Sequence, residues 1–319
     1  MSRFGIVIPV YKNEETIDLL INALSAMPTG IRSQLTVVFV IDGSPDRSEQ
    51  LLRWKLPDAN FSSLLVTHSR NFGSFAAIRT GLSECPAEFI AVMAADLQEP
   101  IEWVEQALLL LAEDKADVCL GVRESRQDPL RDRIAAQIFW LIYRKVVMPT
   151  LPRGGVDVFA ISQRVSRVLT SLQESNTSLI GQLMWAGFRR LELPYSRRAR
   201  AAGVSAWTFR KKVRYMLDSI FAFTDLPVSL ITGTGILGLL VAVIYGTVVA
   251  ISRLTGQIEE AGFAALVTAI LFSACLNLIS VGIIGQYVYR TYENSKRRPT
   301  SIQSGVSRFG RQPSDTQPS

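Results

Sequence analysis

A chain of 319 residues has room for one large or two small domains. Apolar residues make up 48% and charged residues 19%, fewer charges than the roughly 25% of a wholly soluble globule, so part of the chain is expected in lipid. Three cysteines without paired spacing imply no disulfide framework, the single histidine cannot build a histidine metal site, and a net charge of +6 suits anionic partners: nucleic acid, acidic headgroups or phosphorylated small molecules.

From the N-terminus, the β-branched runs Phe4–Val10, Leu35–Ile41, Leu64–Thr67, Phe89–Met93 and Val118–Leu120 predict buried strands. Glu14–Ala26, Ser74–Leu82 and Ile101–Ala112 read as helices between them. The alternation predicts an α/β domain with a mostly parallel sheet. Such sheets take ligands at the carboxyl ends of their strands. Four polar segments stand there: Pro9 to Glu15, Asp42 to Asp46, Arg70 to Gly73, and Asp96 to Pro100. Each alone is compatible with an ordinary turn and helix cap. Together on one edge they point to a shared site. No G-x-G-x-x-G and no Walker A accompanies them, which speaks against a dinucleotide oxidoreductase or a P-loop enzyme.

Farther on, Asp157 follows Gly154, Gly155 and Val156, and is open to a second reading as a cap ahead of a helix at Ser162–Leu172. From Arg189 to Arg214 nine basic residues face one acid, Glu192. Trp207–Thr224 interleaves aromatic and basic residues, the pattern of an amphipathic helix in a membrane interface, although a surface helix packed on the domain would look similar. Val228–Ile251 and Ala261–Tyr289 are uncharged and apolar, each long enough at about 1.5 Å per residue to cross a hydrocarbon core of about 30 Å. Basic residues flank the pair (Arg210, Lys211, Lys212 and Arg214 before, Arg290 and Lys296 to Arg298 after), so both flanks are expected in the cytoplasm. The last twenty residues or so are polar and rich in Ser and Pro, and are expected to be disordered. The division is then a cytoplasmic domain at 1–206, an interface helix at 207–225, a two-helix hairpin at 226–290, and a basic tail at 291–319.

PVYKNEE, VIDGSPD, SRNFG, ADLQEP, GVRESRQD, GGVDVF, RARAAGVSAW and IGQYVYRTYENSKRRP run nearly end to end. In order and spacing they resemble the family 2 glycosyltransferases of the polyprenyl-phosphate type, the group of dolichol-phosphate mannose synthases and undecaprenyl-phosphate sugar transferases. The resemblance implies a glycosyltransferase-A type domain that moves one sugar, with inversion, from a nucleotide diphosphate to a polyprenyl phosphate at the inner (cytoplasmic) membrane. It implies donor contacts from Pro9, Tyr11, Glu14, Asp42, Arg70, Asn71 and Asp96, and acceptor-phosphate contacts from Arg123, Arg126, Arg200 and Ser205. Asp157 and Asp96 take catalytic roles, and Asp96 and Gln98 hold Mg²⁺ or Mn²⁺. The expected partners are nucleotide sugar, polyprenyl phosphate and membrane lipid, with a second copy of the chain as a further candidate. Nucleic acid is not among them, since the basic segment comes with no nucleic-acid motif.

Three positions depart from the family pattern: Ile41 and Ala94 replace acids, and Phe159 replaces an arginine. They motivate a second reading, an inactive nucleotide-binding homologue or membrane scaffold. Gln50 to Trp54 spells Q-x-x-R-W, a signature of processive polysaccharide synthases, but it precedes Asp96 instead of following it and is taken as chance.

Overall fold

The computed structural model describes residues 2–123, 144–145, 148–152, 155–172, 174, 177–197, 209–255 and 262–310. In chain order it has β1 (Ser2–Val10), α1 (Ile17–Ser25), α2 (Thr29–Arg32), β2 (Leu35–Ile41), α3 (Ser48–Lys55), β3 (Ser62–His68), α4 (Ser74–Glu84), β4 (Ala87–Val92), α5 (Ile101–Ala112) and β5 (Val118–Arg123). Then come β6 (Phe159–Ser162), α6 (Gln163–Ser171), α7 (Leu179–Trp185), β7 (Arg190–Tyr195), α8 (Phe209–Phe223), α9 (Leu226–Leu254), α10 (Phe263–Ser295) and β8 (Gln303–Phe309).

One eight-stranded sheet runs β7-β5-β6-β4-β1-β2-β3-β8. The β4-β1-β2-β3 half is parallel, β6 runs antiparallel between β4 and β5, and β8 runs antiparallel along β3. The strand order reverses at β1, which has β2 on one side and β4 on the other. The carboxyl ends of β1 and β4 therefore flank the crevice where doubly wound sheets bind ligands. All seven residues of β2 are buried, as an apolar β-branched run requires when helices cover both faces of the sheet. On one face Ile6, Ile8, Val37 and Phe39 pack with Leu20 of α1, Leu52 of α3 and Trp103, Val104 and Leu108 of α5. On the other, Val7, Val38 and Val40 pack with Ala77 of α4, Val165 of α6 and Leu183 of α7. Each fully buried side chain of this size contributes about 1.5–3 kcal/mol. Gly81 lets α4 lie close to the sheet, since a Cβ there would stand 2.3 Å from Val7 Cγ1.

Phe159 is 1% exposed on β6, inside the second of these cores, so the position that departs from the family pattern is occupied here by a packing residue. The Q-x-x-R-W residues lie on α3, where Arg53 donates to Glu49 (2.9 Å) and to Ser307 of β8 (2.9 Å).

Met216, Ile220 and Phe223 of α8 pack against the α4/α6/α7 face, and the Phe223 ring would lie 2.4 Å from a Cβ at Gly181. The helix expected at the membrane interface thus also docks on the α/β domain. Arg290 of α10 bonds Asp218 of α8 (2.7 Å), and Tyr287 meets Phe221 edge-on at 5.5 Å. Within α9 and α10, Leu226–Val248 and Phe272–Ser295 are long and apolar enough to cross a membrane. Their large apolar side chains, Leu237, Ile244, Phe272 and Val281 among them, face outward.

The expected disorder of the last twenty residues does not hold at Gln303–Phe309. That stretch pairs with β3 from Ser63 to His68, because β3 would otherwise present an unpaired row of backbone donors and acceptors.

Candidate active site

The loops after β1 and β2 are laced together. Lys12 N donates to Ser44 Oγ (2.7 Å), Asn13 N to Ser48 Oγ (3.1 Å) and Glu14 N to Asp46 Oδ2 (3.1 Å). Asp46 also accepts from the hydroxyls of Ser44 and Ser48. Burial alone would raise its carboxyl, but these bonds outweigh it and hold the pKa below the usual value. Glu14 accepts from Arg47 N (3.0 Å), so its carboxylate braces the second loop. Tyr11 is exposed at the rim. The Val7 carbonyl accepts from Met93 N on the β4 side. Pro9, two residues on, turns its missing N–H the same way, beyond the last β1–β4 pair at Val7 and Val92, which leaves the crevice open there.

Asp42 follows β2 directly and is 2% exposed. Its Oδ1 meets His68 Nδ1 (2.9 Å) and accepts from Phe72 N (2.8 Å), and its Oδ2 accepts from Gly73 N (2.8 Å). Burial opposes ionisation, yet the bonds from His68, Phe72 and Gly73 win and lower its pKa. The carboxylate read in the sequence as a nucleoside contact is therefore turned inward and clamps the 70–73 loop. Asn71 Nδ2 donates to the Asp42 carbonyl (3.1 Å), and Arg70 stacks over Phe72 at 4.0 Å. Gly43, at φ +59°, admits no side chain: a Cβ would stand 2.4 Å from the backbone of Arg70 and Asn71.

The second half of the site follows β4. Gln98 N approaches Asp96 Oδ1 at 3.4 Å. Glu99 is 3% exposed and accepts from Ala94 N (3.3 Å). Burial, then repulsion from Asp96 and Asp157, pushes the Glu99 carboxyl up to about 7. Asp157, in the loop before β6, accepts from Arg123 Nε and from the Tyr195 hydroxyl (3.0 Å). Burial tends to lower the Arg123 pKa, but Asp157 prevails and raises it. Ser162, not Asp157, occupies the cap position of α6. The Gln98 side-chain oxygen, a candidate metal ligand by sequence, accepts from Arg197. The structure thus gathers Asp96, Gln98, Glu99, Asp157 and Arg123 at one end of the sheet. Arg126, Arg200 and Ser205 lie outside the described residues.

Glu99, Tyr195, Arg197 and His68 belong to this site and were not singled out by sequence. Arg197 carried a signal in its membership of the basic run, and Glu99 in its place within the Asp96 to Pro100 segment. Among the described residues no group of three or more His, Cys, Asp or Glu could hold a metal unaided. A hard divalent cation still fits: Asp96 offers a carboxylate oxygen, mutual repulsion of Asp96, Glu99 and Asp157 favours a positive charge, and substrate phosphates and water usually complete such a shell. A cavity of about 280 Å³, lined by Arg79, Thr80, Arg298 and Ser301 among others, includes none of the Asp96 or Asp157 residues.

The profile described as Glycosyl transferase family 2 matches residues 5–178. An uncharacterized glycosyltransferase of Synechocystis sp. is 29% identical over 306 residues, 95% of each chain. The bactoprenol glucosyl transferase of Shigella phage SfV is 28% identical over 301 residues, 94% of this chain and 97% of the relative. Among solved structures, glucosyl-3-phosphoglycerate synthase from Mycobacterium tuberculosis, in complex with Mn²⁺ and UDP, is 13% identical with a TM-score of 0.47, covering 69% of this chain and 78% of the other.

Proposed function

Because the chain belongs to glycosyl transferase family 2, we propose that it moves one sugar, with glucose the first to test, from a nucleotide diphosphate to a polyprenyl phosphate such as bactoprenol phosphate. The observation that carries this is the reach of the similarity: the match to the phage bactoprenol enzyme extends over 94% of the chain, through both long apolar helices and not the catalytic domain alone. Basic flanks around the helix pair support a cytoplasmic active site and cytoplasmic termini.

In this reading an oxygen of the lipid phosphate attacks the anomeric carbon as the bond to the nucleotide diphosphate breaks, inverting the centre. The phosphate is already ionised near neutral pH, so no strong base is required. Asp157 therefore acts by position. Its bonds to Arg123 and Tyr195 fix the guanidinium at the acceptor side, where a phosphate is matched by a planar fork of donors. Arg126, Arg200 and Ser205 are proposed to share that contact. Pro9, Tyr11, Arg70 and Asn71 line the donor side, with Asp42 and Glu14 holding their loops. Mg²⁺ or Mn²⁺ bound at Asp96 would offset the charge gathering on the leaving diphosphate.

The test is the purified full chain with a panel of nucleotide sugars and undecaprenyl phosphate, scored for label in the lipid phase. One sugar per carrier is expected. Growing polymer would overturn the single-transfer reading. Nucleotide binding without any transfer would support the inactive homologue, which Ala94 and the engaged Gln98 side chain favour.

A further inference from the structure

The chain that leaves the second apolar helix does not trail away. Between the end of α10 at Ser295 and the start of β8 at Gln303, Ser301 Oγ lies 2.7 Å from Thr80 Oγ1 on α4. Thr80 Oγ1 lies 2.9 Å from His68 Nε2, and His68 Nδ1 lies 2.9 Å from Asp42 Oδ1. The Asp42 carboxylate in turn holds the backbone N–H groups of Phe72 and Gly73. Asp42 and His68 are each 2% exposed and Thr80 is 6% exposed, and the chain of bonds ends at the half-buried Ser301, which lines the cavity of about 280 Å³ together with Thr80. The backbone follows the same route: Ser69 N donates to the Ile302 carbonyl (2.9 Å), and β8 pairs along β3 as far as His68.

The proton arithmetic links the ends. A carboxylate only accepts, so His68 Nδ1 carries a proton. If Nε2 is bare, Thr80 gives it its one proton and must accept from Ser301. If Nε2 is protonated, Thr80 accepts from it and gives its proton to Ser301. In both cases Ser301 takes up the bonding capacity that His68 leaves on Thr80. Without it, a buried hydroxyl loses a partner and the imidazole loses its fixed orientation behind Asp42.

We propose that Ser301 is a positioning residue for the donor loop 70–73, which makes the segment leaving the membrane part of the nucleotide-sugar site. This rests on the donor site being where the proposed function puts it. The membrane hairpin and the donor loop then share one hydrogen-bonded chain, and any change in how α10 leaves the bilayer reaches Asn71 through Ser301, Thr80, His68 and Asp42.

The experiment uses the full chain, purified through a histidine-free tag, in nanodiscs. Ser301→Ala is expected to raise the apparent donor KM about fivefold, the effect of losing one half-buried hydrogen bond, with kcat and the lipid KM within about twofold of wild type. Ser301→Thr, which keeps the hydroxyl, should restore the donor KM. His68 is the one histidine in the sequence, so ¹⁵N-imidazole labelling gives a single ring to observe. Its signals should move on adding UDP-glucose to wild type and on the Ser301→Ala change alone. A variant that loses thermal stability but keeps the wild-type donor KM and the wild-type imidazole signals would overturn the proposal. Should wild type transfer no sugar from any donor, the functional reading fails, and the imidazole shift between wild type and Ser301→Ala still decides whether Ser301 governs His68.

Discussion

The two halves of the site use their polar groups in opposite ways. After β1, β2 and β3, nearly every side chain in reach is spent on the backbone: Ser44, Asp46 and Ser48 tie the first two loops, and Asp42 clamps the third. After β4, and around Asp157, charged side chains gather on one another instead. Glu99 is buried with Asp96 and Asp157 close enough to oppose its ionisation, and Arg123 is held by Asp157. The first half is a rigid mould and the second a store of charge. A mould suits a nucleotide, whose recognition depends on shape and on hydrogen bonds to fixed backbone. A store of charge suits the place where a diphosphate leaves and a phosphate arrives, since preorganised charge is worth most where charge develops.

The sharpest test of this contrast is on the charged side. Asp96→Asn should lower kcat/KM on the order of 10²-fold or more and abolish Mn²⁺ binding followed by electron paramagnetic resonance. Undiminished turnover in EDTA would remove the metal from the scheme. On the moulded side, Gly43→Ala forces a side chain into the backbone of Arg70 and Asn71 at positive φ. It should cost about 2 kcal/mol in unfolding stability and raise the donor KM while leaving the lipid KM alone. If the donor KM did not move, the 43/70 contact would not shape the site. A smaller effect is expected from Tyr195→Phe, which removes one hydroxyl from Asp157 at 3.0 Å. The loss is about 1 kcal/mol, or roughly fivefold in rate, and should fall on the lipid step in a KM-against-kcat comparison.

The moulded half was also the more legible in the sequence. Leu35–Ile41 and Ile101–Ala112 were read with the boundaries they have, because a β-branched run ended by Asp-Gly and a helix-period run begun after Pro leave little choice. The strands that went unread are of a different kind. β6 has four residues, β7 alternates exposed and buried positions at the flank of the sheet, and β8 is a polar Ser- and Gly-containing run. What makes Gln303–Phe309 a strand is the free edge of β3, more than two hundred residues earlier, and local composition carries no trace of it. The site divides likewise. Asp96 and Asp157 stand in motifs, whereas Tyr195 reaches Asp157, and Arg197 reaches Gln98, only through the fold. Asp42 was legible as important but not as an inward clamp, because the bonds that turn it come from β3 and the loop that follows it.

The two halves differ, finally, in the sign of their titration. The folded Asp42 carboxyl lies below its unfolded value of 3.8. Such a group adds stability that is complete above 3.8 and is lost as pH falls through the lower folded value. Glu99 is the reverse, raised from 4.5 to about 7. Its protonated form is favoured in the fold, so the advantage is complete below 4.5 and is lost as pH rises through about 7. Thermal unfolding of the full chain, in EDTA to keep cations out, would be followed from pH 8 to pH 3. The stability gap between wild type and Asp42→Asn should shrink only at the acid end, below about 3.8, where the carboxylate that holds Phe72 and Gly73 takes up a proton. The gap between wild type and Glu99→Gln should instead change between about 4.5 and 7, with wild type losing ground as pH rises, because glutamine keeps the shape of the protonated acid and never ionises. Two variants with the same pH dependence would mean that both carboxylates sit in equivalent surroundings, and the division of the site into a mould and a store of charge would have to be given up.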